Sequence, residues 1–465
     1  MVYRRLWDKI DMDGLVKRIL KNRKLKFDFA NVLYLLLIDR LLCARSKLAT
    51  FLGQDRYLNI AQVEQHHLYR LLDVLADSKE QIERFLFLKQ RNLFNMQVDV
   101  VFYDLTTFHF ESVRADELKD FGFSKAGKFN EVQVVLGLLV DKQGCPIGFD
   151  LYPGNTFEGN TLIDALEKLK ERFQIRRLVF VADKGLNSAR NLNLIRQAGY
   201  EYIVSCPLKT QRKAVIDQIL NQEGYTNTFD TQTGALTFKY KWLAHQVCYK
   251  DQGKPKVEFE DRLLVSWSAP RAERDWKNRE RHVEKARKMI EDKQFKQSKK
   301  GAARYIRTSG DQCLEGLDED KVARDAQWDG YYGIQTNSAL DHTTIMDNYS
   351  LLWKIEDSFR VLKSTMNTRP VFHWTPKRIK GHFVLCFIAF LLERNMEIKL
   401  RNNQIELSPE KLKAVLNSLE ISLVKLNGDQ YYLKGKPIVP AGRILKAFRI
   451  KSPANLTPTA DLKLQ

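Results

Sequence analysis

The residue pattern predicts an α/β fold: a mixed sheet carrying an inserted β-rich subdomain, with a helical N-terminal region and a small C-terminal one. Three observations predict it. From residue 97 the apolar residues change from helical spacing to strand spacing. Three strand-like runs are then followed by alternating helix and strand. That alternation stops near residue 207, and a long Thr-, Tyr- and charge-rich stretch intervenes before helical spacing returns at 349–363.

Taken in order, residues 1–95 read as largely helical. Ala30–Ala44 is apolar at helical spacing, a second helix is expected through Gln62–Ala76, and the basic, turn-rich Arg45–Tyr57 joins them. Such a module fits either plain helical packing or a helix read into the major groove of DNA. Val98–Thr107, Val132–Val140 and Pro146–Tyr152 read as strands, the last two as a hairpin. A helix over Gly159–Phe173, a strand at Arg177–Ala182, a helix over Asn187–Ala198 and a strand at Tyr200–Ser205 follow. That order is the one a ribonuclease-H-like core has. Residues 96–206 therefore form its first part and 336–400 its second. Between them, 207–335 read as a basic insertion with strands such as Leu236–Tyr249. Its segment Arg271–Arg307 is either a solvated helix or a face that tracks phosphates. Residues 401–465 hold a helix after Ser408–Pro409, a hairpin around Asn427–Asp429 and a short basic helix near Ala441–Arg449.

A chain of 465 residues exceeds what one small core can organise. Its net charge of +19 is spread along the whole length and predicts a polyanionic partner, most commonly nucleic acid. Six scattered cysteines without a CxxC or a Cys/His cluster argue against a disulfide framework or a structural zinc site, and fit a reducing cytoplasm. MVYRRLWDKI lacks the apolar core of a signal peptide. The apolar runs 30–43, interrupted by Asp39 and Arg40, and 383–392, which is short, read as buried helices rather than membrane spans.

Three acids carry the candidate chemistry. Asp104 lies in a strand of almost wholly apolar neighbours, where an ionised carboxylate needs a cation or other partners. Asp183 closes the apolar run VFVA just before a Gly turn, at the carboxyl end of a strand, where α/β sheets commonly hold ligands. In the proposed order the two strands are neighbours, and two carboxylates brought together repel without a cation between them. Glu356 is the third, on Tyr349–Lys363, which placed on one helix aligns Tyr349, Leu352, Glu356 and Lys363 in one stripe. An all-oxygen set favours Mg²⁺ or Mn²⁺ over zinc, with two ions supporting phosphoryl transfer. Each acid also has a plainer reading: Asp104 and Asp183 as acids satisfied by backbone N–H groups, and Glu356 as half of a surface ion pair with Arg360. Lys184 and Lys125 stand near the inferred site, either as phosphate contacts or as merely solvated lysines. Asp99 is a spare acid on the first strand, and His66, His67, His109 and His382 show no metal-ligand spacing. Trp267, Trp276 and Trp328 are core or surface aromatics, or one of them stacks on an extruded base.

The stretches YDLTT at 103–107, VADKGL at 181–186 and the Tyr349…Glu356…Lys363 block resemble the three motif blocks of bacterial insertion-sequence transposases. The type resembled is the DDE cut-and-paste one, with a β-strand insertion before the final Glu. FGFSKAGKFNEVQVVLGLLVD, GFDLYPGNTFEGNTL and WDGYYGIQTN are similar to the same family, so the resemblance spans roughly 97–395, with its blocks in order. It implies that Asp104, Asp183 and Glu356 are the metal-binding triad, and that Tyr349 and Lys363 contact DNA near the cleaved end. It further implies a hairpin intermediate, a homodimer bridged by DNA, and a bacterial protein associated with the nucleoid. The signature's Arg three residues after its Tyr is here Leu352, so either Arg360 supplies that cation or the contact is missing. The expected function is a transposase acting on terminal inverted repeats and target DNA. The rivals are a metal-dependent nuclease of the same fold, which cuts without strand transfer, and a captured relative that only binds DNA.

Overall fold

The structure is a computed structural model. It describes residues 1–91, 99–122, 130–156, 161–173, 178–250, 253, 255–292, 298, 300–308, 314–368 and 371–461. The chain forms two units. The first comprises Met1–Val181, Ala198–Tyr200 and Ser350–Gln465; the second comprises Ala182–Gln197 and Glu201–Tyr349.

In the first unit the strands β1 (Asp99–His109), β2 (Gln133–Asp141), β3 (Pro146–Pro153) and β4 (Leu178–Ala182) lie in the order β3-β2-β1-β4. β1 is antiparallel to β2 and parallel to β4, with Phe102 beside Val181, and β2 and β3 form the expected hairpin. This is the mixed, ribonuclease-H-like arrangement read from the sequence. β2 and β4 are buried almost throughout, because helices cover both sheet faces and leave no reason for alternation. On one face Tyr103 donates a hydrogen bond to Thr161, at the start of the helix Thr161–Phe173. On the other, Phe108 meets Phe383 edge-on at 5.2 Å, on the long helix Pro376–Arg401.

That helix is longer than the apolar run 379–393 suggested. Thr375 caps it and Pro376 occupies its first turn, a start signal that lies outside the apolar stretch, and its last turn is a basic tail. The N-terminal helices Val2–Lys9, Phe29–Leu42 and Gln65–Asp77 pack around it. Gly381 makes one crossing possible: a Cβ there would stand 2.0 Å from the Leu72 carbonyl oxygen. Both charged residues inside the helix Phe29–Leu42 have hydrogen-bond partners. Asp39 accepts hydrogen bonds from Arg45, Thr50 and Tyr57, and Arg40 donates to the carbonyls of Met366 and Asn367. No helix of the described residues is long and apolar enough to cross a membrane. Toward the C-terminus, Ser408 caps the helix Pro409–Asn417, and Asn427-Gly428, both at positive φ, turn the hairpin between Ile421–Leu426 and Asp429–Lys434.

The second unit holds β5 (Glu201–Ser205), β6 (Thr226–Phe229), β7 (Leu236–Tyr249), β8 (Val257–Ser268), β9 (Ile306–Thr308), β10 (Leu314–Leu317) and β11 (Tyr331–Thr336). Five of them run β5-β11-β8-β7-β6, every neighbour antiparallel. Leu263 and Val265 of β8 pack with Cys206, Leu208 and Ile219 beneath this sheet. The 23-residue helix Ala269–Glu291 follows β8, as expected for part of the basic segment. β11 and the two-turn helices Lys213–Leu220 and Glu319–Ala326 carried no predicted element, because each is too short for its period to stand out.

Candidate active site

Strand alternation puts Phe102, Asp104, Thr106 and Phe108 on one face of β1. Phe108 marks that face as the one turned toward the long helix, and the helix Trp353–Arg360 packs against β1 as well. Asp104 is half-buried there. The single helix expected over Tyr349–Lys363 is instead three pieces: His342–Ser350, Trp353–Arg360 and a π-helical turn Val361–Thr365. Tyr349 and Glu356 therefore do not share a helical stripe. The break at Leu351–Leu352 has no Gly or Pro to announce it, and the wider π turn shifts Lys363 out of α register with Glu356.

Glu356 is exposed and makes no hydrogen bond or ion pair among the described residues. The adjacent acid has the opposite fate. Asp357 accepts from Arg394 at 2.6 Å and from Arg360. Burial alone would raise its carboxyl, but the two guanidiniums outweigh that and hold it below the usual range. Arg360 is thus paired with Asp357 at i+3, and the Glu356–Arg360 ion pair of the plainer reading does not form. Lys363 donates to the Thr106 hydroxyl and sits 5.5 Å above the Phe108 ring. This contact fastens the end of the Glu356 segment to the face of β1 that carries Asp104.

In the second unit, Asp183 is exposed directly after β4, and its side chain accepts from the Gly185 N–H in a local turn. The loop that follows is tied down by Asn187, which donates to the Ser205 carbonyl at 2.8 Å. Tyr349 is half-buried, and its hydroxyl is linked to that of Tyr332, which is itself 2.9 Å from the Ser205 hydroxyl. Burial, then the Tyr332 hydroxyl, then the charge of Asp183 all push the Tyr349 phenol up, so it stays a neutral O–H. Tyr332 and Ser205 were missed from the sequence. Tyr332 had a signal in the block WDGYYGIQTN, whose tyrosines carried no assigned role, whereas Ser205 was only the last residue of an expected strand.

The remaining candidates divide. Lys184 begins the one-turn helix Lys184–Leu186, and its side chain lies outside the described residues, as does all of Lys125. Trp267 donates to the Asp329 carbonyl at 2.9 Å, and Trp328 packs against the Leu263 core; Trp276 is 49% exposed. A cavity of about 260 Å³ lies on the Asp357 side of the Trp353–Arg360 helix, lined by Trp353, Lys354, Arg394 and Arg401 among others. Glu356 is not part of its wall, so this hollow is not where the acids face.

Among the described residues, no group of three or more His, Cys, Asp or Glu side chains is gathered closely enough to hold a metal ion. Asp104 and Glu356 belong to the first unit and Asp183 to the second. In donor chemistry the three fit a hard cation. They are oxygen donors only, and Asp183 and Glu356 hold no ion pair among the described residues, so no Lys or Arg neutralises them in a metal's place.

Residues 97–392 match the model of the family described as the transposase DDE domain. A search of curated proteins returned no match. Among solved structures, the chain is similar to that of the piggyBac transposase synaptic complex with hairpin DNA, determined by cryo-EM. The identity is 8% and the TM-score 0.37, over 90% of this chain and 79% of that one.

Proposed function

The chain belongs to the transposase DDE-domain family, and from that premise we propose that it is the transposase of a bacterial insertion sequence. It binds the terminal inverted repeats of its own element, cleaves them and joins the 3′-ends to target DNA. The observation that carries this reading is the family match over 97–392, which takes in Asp104, Asp183 and Glu356 in order. These three would hold Mg²⁺, with Mn²⁺ as a substitute, two ions to a site. Such a pair supplies an activated oxygen nucleophile and a stabilised leaving oxygen. Water is the nucleophile in cutting, and a DNA 3′-hydroxyl in joining.

The other residues bind and orient DNA. The neutral Tyr349 hydroxyl donates to a phosphate near the cleaved end, and Lys363, held on β1 through Thr106, is a cation for DNA near that end. Arg360 takes the place of the signature Arg that is absent at Leu352, with Lys184 and Lys125 as further phosphate contacts. The protein works as a homodimer on DNA at the nucleoid, with the N-terminal helices as its DNA-binding region.

The test is Mg²⁺-dependent cleavage of DNA carrying the repeats that flank the coding region, comparing wild type with Glu356→Ala. End-specific nicks and joined products from wild type, lost in a variant that still binds, are expected. Cuts without joined products would make the protein a nuclease of this fold. Tight binding with no cleavage by either protein would make it a DNA-binding relative.

A further inference from the structure

The helix Ala269–Glu291 has its charges sorted by face. At about 100° per residue, Arg274, Lys277, Asn278, Arg281, Lys285 and Lys288 fall within an arc of about 100°, and no acid lies inside it. All six are exposed. The acids Glu273, Glu280, Glu284 and Glu291 form a separate line beside that arc. The opposite side is anchored: Val283 and Ala286 pack with Ala302, Tyr305 and Ile306, and Arg279 is paired with Asp329. The basic arc is thus the outermost edge of a helix fixed by its other side.

Among the described residues the cations on this edge are unpaired with acids or held only by exposed ones. Arg274 and Lys285 have no acidic partner among the described residues, and Arg281 bonds only to Asn278 and to the Lys277 carbonyl. Lys277 and Lys288 touch Glu273 and Glu284 one turn away, in pairs whose side chains are all more than half exposed. Solvent screens pairs of that kind, and they exchange readily for a stronger anion. From Arg274 to Lys288 the edge rises about 21 Å, roughly the axial length over which one strand of B-DNA presents six phosphates.

We infer that this edge is a sequence-independent docking surface for the phosphate backbone of duplex DNA. The inference rests on the proposed function for the identity of the polyanion and assigns a share of its binding energy to residues other than the three acids. Flexible cations in a row, with one amide and no aromatic side chain among them, suit backbone contact rather than base reading.

The experiment uses the full chain and a 30-base-pair duplex of arbitrary sequence, with binding measured at several salt concentrations. Arg274→Gln/Arg281→Gln/Lys285→Gln keeps helix propensity and removes three charges. The logarithm of affinity should fall less steeply with the logarithm of salt, by about 2.7, or about 0.9 for each lost phosphate contact. The loss should be equal on unrelated sequences. Glu273→Gln/Glu284→Gln, which frees Lys277 and Lys288, should bind more tightly. An unchanged slope in a triple variant with unaltered circular dichroism would overturn the surface while the parent's steep binding keeps the proposed function alive. A parent with no salt-dependent duplex binding would sink both. A variant that loses only binding to A-form RNA, or to vesicles of anionic lipid, would overturn DNA as the occupant.

Discussion

Asp261 in the insertion sheet and Glu356 in the first unit are both acids, and their surroundings could hardly differ more. Asp261 is 3% exposed on β8, and it accepts from Arg196 at 2.8 Å, from Gln335 at 2.6 Å and from the Tyr202 hydroxyl. A cation and two further donors fix this charge and use up its oxygens. Glu356 stands in water on a helix whose other acid, Asp357, has taken both nearby guanidiniums. Supply of partners, rather than residue type or depth alone, separates an acid that holds a sheet together from one left available for chemistry.

The largest effect that would sharpen the contrast is on rate. Glu356→Gln should lower end cleavage on the order of 10³-fold or more, since even residues behind metal ligands commonly cost 10–100-fold. Its melting temperature should stay where wild type's is, because an exposed, unpartnered side chain lies in the range of surface substitutions, within about 0.5 kcal/mol. Full cleavage with a lowered melting point would reverse the contrast. Asp261→Ala is the mirror experiment. It strands Arg196, Tyr202 and Gln335 and should destabilise by about 3–5 kcal/mol in urea unfolding. Amide exchange should accelerate first in β5, β8 and β11, the strands that meet at this carboxylate.

Long, two-sided strands were legible before any coordinates: β2 and β4 are continuous apolar runs, and the strand pattern of β7 matched Leu236–Tyr249. The acids were legible as residues out of place, Asp104 in an apolar strand and Asp183 at a strand end. Less legible was whatever depends on partners distant in sequence. The break between Tyr349 and Glu356 has no local signal, and the hydroxyl chain from Ser205 through Tyr332 to Tyr349 joins residues 144 positions apart at its ends. Asp357 could not be told from Glu356 by pattern, because the deciding cation, Arg394, sits 37 residues on.

Glu393 is an intermediate case. It is buried on the long helix, where it accepts from the Tyr3 hydroxyl at 2.8 Å. Burial raises its carboxyl to about 7; the Tyr3 hydrogen bond works the other way but only in part, and Glu397 adds to the rise while Arg394 and Lys413 oppose it. The folded state therefore binds this proton more tightly than the unfolded chain does. Its contribution to stability is fully present below the ordinary glutamate range and is lost as pH rises through about 7. Urea unfolding at a series of pH values should show that decline. Glu393→Gln, whose carbonyl can still accept from Tyr3, should flatten it, leaving stability at pH 5 little changed and raising it at pH 8 by on the order of 2 kcal/mol. A decline that survives the substitution would assign it to other groups.

The smallest effect concerns Arg360, whose charge can be read as structural or as functional. Its side chain is 68% exposed, and its carboxylate partner among the described residues, Asp357, keeps Arg394 at 2.6 Å when Arg360 is removed. The shared acid is thus not stranded, so Arg360→Ala should cost only a few tenths of a kcal/mol, within the scatter of exposed ion pairs. A DNA-contact role would show elsewhere, as weaker binding to the repeat ends and a salt dependence shallower by about 0.9, the increment of one phosphate. Because Asp357 competes for the same guanidinium, Asp357→Asn should shift end binding in the opposite direction, freeing Arg360 for phosphate. Opposite shifts in the two variants, with Tm held constant in the Arg360 variant, would assign Arg360 to DNA. Unchanged end binding in both would return it to the surface pair it forms with Asp357 and leave the signature cation missing at Leu352.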